Sequence, residues 1–295
     1  MLRNIQVNEP FRAYWELMRL DRPIGTFLLL WPTLTALWLA DHRFPDLQHC
    51  AIFIVGTFIA RAMGCVINDI LDRDFDQHVA RTQNRPLADG RLTVIQALIC
   101  LAVLIALGGL LILFLNPLTR FLALLAIPLA WIYPLMKRVI PVPQVVLGFV
   151  FSWGILMAST AVVRDVTVEV WLLFLLSLLW IVAYDTQYAM VDRDDDLKLG
   201  LKSTAIFLGK FDIFAVVVLD IAVVLIAVLI GQVAGFRWFY WVGVLVASGL
   251  FVYQWTLIFG RDREKIFVAF KNNAWVGFVL FVGVVSEYPP SIHFF

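Results

Sequence analysis

Asn68, Asp69, Asp72, Asp74 and Asp76 crowd the end of a long apolar run, in the string NDILDRDFD. A second string, DTQYAMVDRDDD at 185–196, does the same 120 residues further on. On a helix Asn68, Asp72 and Asp76 fall at i, i+4 and i+8, and Asp69 lies three residues before Asp72, so they share a face. Asp185, Asp192 and Asp196 fall at i, i+7 and i+11, again on one face. Two carboxylate faces beside apolar helices need a purpose, because a charge at the centre of a bilayer costs roughly 2.5–3.5 kcal/mol.

Aspartates just past a span can be solvated loop. That reading leaves the shared spacing and the shared D-R-D-x-D order without a cause. A calcium loop of the EF-hand type needs Gly at its sixth position and Glu at its twelfth. From Asp72 those positions hold Gln77 and Gln83, and from Asp192 they hold Leu197 and Ser203, so calcium fails twice. Mg²⁺ is held by one or two carboxylates together with substrate phosphates. Asp72, Asp76, Asp192 and Asp196 carry the charge that two Mg²⁺ ions would balance. A diphosphate adds about three negative charges and calls for cations. Arg81, Arg85, Lys198 and Lys202 follow the two strings closely enough to supply them. A diphosphate site among apolar helices implies a substrate with a lipid tail.

The elements that must hold these groups are membrane helices. The chain is 62% hydrophobic and 15% charged, where a soluble domain is about a quarter charged. Apolar runs at about 24–40, 51–67, 94–115, 118–135, 143–163, 168–190, 211–230, 236–258 and 267–286 each approach the roughly 20 residues of a bilayer crossing. The expectation is an all-α polytopic membrane protein of about nine spans, one domain over 1–295. Residues 1–22 form an amphipathic cytoplasmic segment with no cleaved signal. Eighteen of the Lys and Arg fall on the N-terminal side of the membrane and four on the other, with Arg61 inside a span. That bias places both aspartate strings in the cytoplasm. Each string ends an even-numbered span and opens a basic loop, which suggests an internal repeat.

The net charge of +1 and the absence of a basic tail give nucleic acid no footing. Cys50, Cys65 and Cys100 are scattered and read as small buried residues. His42, His49, His78 and His293 show no ligand spacing, although His78 is near the first string.

N-D-x-x-D-x-x-x-D at 68–76 with R-T-x-x-R-P at 81–86, and Y-D-x-x-x-A-x-x-D-x-x-x-D at 184–196, resemble the UbiA family of intramembrane prenyltransferases. DRPIG (21–25), LLLWPTLTALW (28–38), WIYPLMKR (131–138) and PQVVLGF (143–149) are similar to its ubiquinone-pathway branch. The likeness runs from about residue 11 to the C-terminus. It implies nine helices around a central cavity open to the cytoplasm and to lipid, in a bacterial inner membrane. It also implies Mg²⁺-dependent transfer of a polyprenyl group from a polyprenyl diphosphate onto the ring of 4-hydroxybenzoate, meta to its carboxylate. Asp72, Asp76, Asp192 and Asp196 are then the metal ligands, with Asn68, Asp69 and Asp185 on the substrate side. Tyr133, Tyr184 and Tyr188 can face an allylic cation. Arg138, at the end of the fourth span and outside both strings, is expected to anchor the acceptor carboxylate clear of the diphosphate. Arg22 is the weaker candidate, and Lys137 reads as an anchor only. Haem- or menaquinone-pathway members of the family share the aspartates. A divalent-cation transporter is the rival of another class, but arginines on the same side would repel its ion.

Overall fold

The computed structural model describes residues 9–79 and 81–289, with Glu9, Pro10, Tyr133 and Lys137 described by backbone alone. A short helix α1 (Glu9–Leu17) precedes α2 (Ile24–Asp41), α3 (Leu47–Asp76), α4 (Val94–Ile112), α5 (Pro117–Val139), α6 (Pro143–Val163) and α7 (Val168–Lys198). A single turn, α8 (Thr204–Leu208), leads into α9 (Asp212–Val233), α10 (Trp238–Ile258) and α11 (Arg263–Glu287). Among the described residues nine helical stretches are long and apolar enough to cross a membrane. The chain is an integral membrane protein. Ile95, Phe121, Phe214, Leu225 and Leu245 are exposed on the outside of the bundle, as lipid-facing side chains must be.

Local signals set the helix starts. Thr93 and Gln96 form a capping box at α4, Asn116 caps α5 just ahead of Pro117, and Asp262 caps α11. Each satisfies amide groups that the first turn leaves without partners. Two boundaries differ from the sequence reading. α3 and α7 run on beyond their apolar stretches and include the aspartates, giving helices of 30 and 31 residues. The basic loop expected after the second string contains the end of α7 and the α8 turn.

Aromatic rings and one amide cluster pack between α7, α10 and α11. Trp180, Phe251 and Ile181 are fully buried. Asn273 on α11 donates to Gln187 on α7 at 3.1 Å and to Gln254 on α10 at 3.2 Å, and accepts from Trp180 at 2.8 Å. Gln187 also donates to Gln254 at 3.2 Å. Polar groups that could not survive against lipid are thereby paired between three helices. Between α2, α7, α9, α10 and α11 an apolar cavity of about 30 Å³ lies beside Trp180 and Gly277. A Cβ on Gly277 would stand 2.7 Å from Trp180 and 2.9 Å from Trp31, so only glycine fits there.

Candidate active site

The two aspartate motifs lie on the last turns of α3 and α7 and are linked through the turn that follows α3. Arg81, in the turn after α3, reaches across to the second motif. Its Nε donates to Asp192 Oδ1 at 3.0 Å and its Nη2 to Asp192 Oδ2 at 2.7 Å. The same guanidinium lies 4.6 Å above the ring of Tyr188. Burial opposes the Arg81 charge, but Tyr188 and Asp192 outweigh it and hold the group still more firmly protonated.

Asp72, Asp76 and Asp192 each have an arginine beside them. Arg85 Nη1 donates to Asp76 at 2.7 Å, and Arg81 takes Asp192. Arg138 Nη2 donates to the Leu71 carbonyl at 3.1 Å and stands 3.5 Å from Asp72 Oδ1, with its guanidinium 4.8 Å above Phe75. The expectation that Arg138 stands clear of the motifs is therefore corrected: a planar cation beside a carboxylate and an aromatic face is held there by both. Asp185 and Asp196 are half-buried on α7.

Asp69 is only 1% exposed and is held by two arginines rather than opening toward a substrate. Arg19 Nη2 meets its two oxygens at 2.7 and 2.8 Å, and Arg85 Nη1 meets Oδ1 at 3.1 Å. Asn68 is half-buried on the face of Asp72.

The remaining expected residues divide. Tyr184 is buried, edge-on to Trp180 and Phe270. Tyr188 packs at a tilt on Phe270, 4.9 Å between centroids, and on Phe267, with Arg81 over its ring. The side chain of Tyr133 lies outside the described residues. Lys198 is exposed and pairs with Asp195 at 3.5 Å. Lys202 donates to the Val139 carbonyl at 2.8 Å, closing the end of α5. Arg22 is exposed and paired with its neighbour Asp21. His78 is exposed and bonds within its own helix end, to the Asp74 carbonyl.

Two further groups escaped the sequence reading. Arg193, inside the second motif, turns away from it and donates to Asp212 at 2.8 Å and to the carbonyls of Ala205 and Gly209. Asp212 is fully buried and also accepts from Arg261, so α7 is tied to α9 next to its aspartates. Arg61 lies on α3 seven residues before Asn68, hence on the same face and about 10 Å deeper. Its guanidinium is 5.9 Å from the Phe151 ring and forms no salt bridge to a described residue. A Cβ on Gly25 would stand 2.6 Å from it, so glycine makes its room. A lone arginine within a span was the available signal.

Residues 29–282 match the UbiA prenyltransferase family. The chain belongs to the UbiA prenyltransferase family. Over 276 residues it is 54% identical to the 4-hydroxybenzoate octaprenyltransferase of Citrobacter koseri, covering 94% of this chain and 96% of that one. It is 53% identical to the 4-hydroxybenzoate octaprenyltransferase of Escherichia fergusonii, at 94% and 95%. The fold is that of the apo UbiA homolog from Aeropyrum pernix K1, with TM-score 0.79, 23% identity and coverage of 90% and 98%. A UbiA homolog from Archaeoglobus fulgidus bound to GPP and Mg²⁺ aligns with TM-score 0.64 and 19% identity, covering 91% and 99%.

Whether this UbiA-family site suits Mg²⁺ can be asked of its donors. Among the described residues no three His, Cys, Asp or Glu side chains stand together as an ion cage. The donors are hard carboxylate oxygens in two groups on neighbouring helix ends. That set fits an ion which takes one or two carboxylates from each side and completes its shell with water and phosphate.

Proposed function

We propose that the chain transfers a polyprenyl group from a polyprenyl diphosphate to 4-hydroxybenzoate, at the ring carbon meta to the carboxylate, as a step of ubiquinone biosynthesis. It works at the cytoplasmic face of a bacterial inner membrane with Mg²⁺. The printed activity of the Citrobacter and Escherichia relatives supports the acceptor, and the archaeal homolog with GPP and Mg²⁺ supports the donor chemistry. The observation that carries the reading is the fork of Arg81 on Asp192, which ties the turn after the first motif to the second motif.

Asp72, Asp76, Asp192 and Asp196 would hold the Mg²⁺. Bound there, Mg²⁺ neutralises the departing diphosphate and weakens its bond to the allylic carbon. With the aspartates given to the metal, Arg81, Arg85 and Arg138 would be left to pair with phosphate oxygens. Each presents a fork that matches phosphate. With Arg81 drawn to phosphate, the face of Tyr188 is free to meet the allylic cation. The packed bundle keeps water from that cation.

The acceptor carries a carboxylate into a low-dielectric space and needs a cation of its own. Arg61 has no anionic partner among the described residues and lies deeper along the motif face. It fits that role better than Arg138, which already sits on Asp72. Purified protein incubated with Mg²⁺, a prenyl diphosphate and a panel of aromatic acceptors, with products weighed by mass spectrometry, tests the proposal. Prenylated 4-hydroxybenzoate is the expected product. Prenylation of another acceptor alone, or Mg²⁺ flux in liposomes without any product, would overturn it.

A further inference from the structure

Four charges stand in line through the first motif: Arg19, Asp69, Arg85 and Asp76. Both oxygens of Asp69 take Arg19 Nη2, at 2.7 and 2.8 Å. Arg85 Nη1 is shared between Asp69 Oδ1 at 3.1 Å and Asp76 Oδ2 at 2.7 Å. The four charges sum to zero. Asp69 is buried, so the loss of one neighbour leaves it to whichever cation remains.

Arg19 is built into this place. It lies in the turn after α1 with a left-handed backbone, φ 57°, where glycine or asparagine is the usual occupant. Its Nη1 donates to the Glu16 carbonyl at 2.6 Å, so the side chain joins the open end of α1 to Asp69. Ala13 and Leu17 bury α1 against Val66, Ile67 and Leu87. Glu16 receives Arg91 at 2.6 Å, and Arg91 donates to the Asn84 carbonyl at 2.8 Å. Burial raises the Glu16 pKa, but hydrogen bonds from Arg91 and Arg12 outweigh it and hold the carboxyl below its usual range. Helix α1 thus clamps the turn that carries Arg81 and Arg85.

We infer that Arg19 is a positioning residue: by neutralising Asp69 it keeps Arg85 anchored yet still charged toward the diphosphate. Once Asp76 is engaged elsewhere, Asp69 is the carboxylate left to Arg85 among the described residues. Were Asp69 uncompensated, its charge would cancel that of Arg85 and the phosphate would lose a cation. Because Arg19 satisfies Asp69, Arg85 stays in position with its charge available. This rests on the reading in which Asp76 serves the metal of the diphosphate.

The test is a binding measurement on the full chain in detergent, with Mg²⁺ and geranyl S-thiolodiphosphate, which is not turned over. Arg19→Gly suits the backbone and removes only the side chain. It is expected to raise the Kd of the analogue about tenfold. Arg19→Lys recovers part of the loss, and adding Asp69→Asn to Arg19→Gly restores the Kd to within about threefold. The Kd for 4-hydroxybenzoate stays within about twofold throughout, which a merely loosened brace would not allow. Should Arg19→Gly fail to fold, Arg19→Gln gives the reading: a rise of about tenfold in the analogue Kd is expected, and an unchanged Kd overturns the inference. Unchanged analogue binding by Arg19→Gly, an equal loss for both ligands, or no recovery on removing the Asp69 charge also overturns it. Asp76→Ala separates the two levels. If it binds the analogue like wild type, the site reading falls; if it is impaired while Arg19→Gly is not, only the role of Arg19 falls.

Discussion

Each carboxylate of the two motifs has a task that can be separated by substitution. Asp72→Ala, Asp76→Ala, Asp192→Ala and Asp196→Ala are each expected to lower transfer at least about a thousandfold, with insertion preserved. EDTA should silence wild type and added Mg²⁺ restore it. Activity retained within a few-fold after loss of either motif would rule out a shared two-cluster site. The arginines make a sharper pair. Arg61→Ala is expected to raise the KM for 4-hydroxybenzoate about ten- to a hundredfold, the cost of one charge-assisted contact, with the KM for the diphosphate little changed. Arg138→Ala is expected to do the reverse, because its guanidinium already stands at Asp72. The opposite pattern would return the acceptor to Arg138. The aspartates were legible in the sequence because charge in an apolar run is conspicuous. Their partners were not, since the bond from Arg19 to Asp69 spans 50 positions and no local rule joins them.

At the level of the helix, apolar length located every span, and polarity misplaced their ends. α3 and α7 continue past the apolar stretch because their aspartates find arginines there, and helix persists where its polar side chains are paired. The amide cluster was hidden for the opposite reason. Gln187, Gln254 and Asn273 look like stray polar residues until three helices bring them together. Removing one leaves the others without partners in a space free of water. Asn273→Leu is therefore expected to lower the melting temperature in detergent by roughly 3–10 °C. Gln254→Leu should act alike, and the double variant should fall short of the sum, as members of one network do. Strict additivity, or an unshifted melt, would mean that the amides do not act as a unit.

Across the whole molecule, two long helices carry their aspartates to the same end, one from each half of the chain. That arrangement follows if α3 and α7 both run from the outer to the inner face, which an odd number of spans between them permits. The Lys and Arg distribution sets which face is inner. The bridge from Arg81 to Asp192 then requires that the 77–93 turn and the end of α7 share that compartment. A reporter has to be exposed: Thr82 is buried beneath Asp76, whereas Asn84 and Asp165 are open. With Cys50, Cys65 and Cys100 replaced, Asn84→Cys in inside-out vesicles is expected to react with a membrane-impermeant maleimide. Asp165→Cys should react only in right-side-out vesicles. Reversed labelling would move the acidic pocket to the outer face, and a cytoplasmic diphosphate could then not reach it. Labelling of both positions from one side would break the alternation of spans that brings the motifs together.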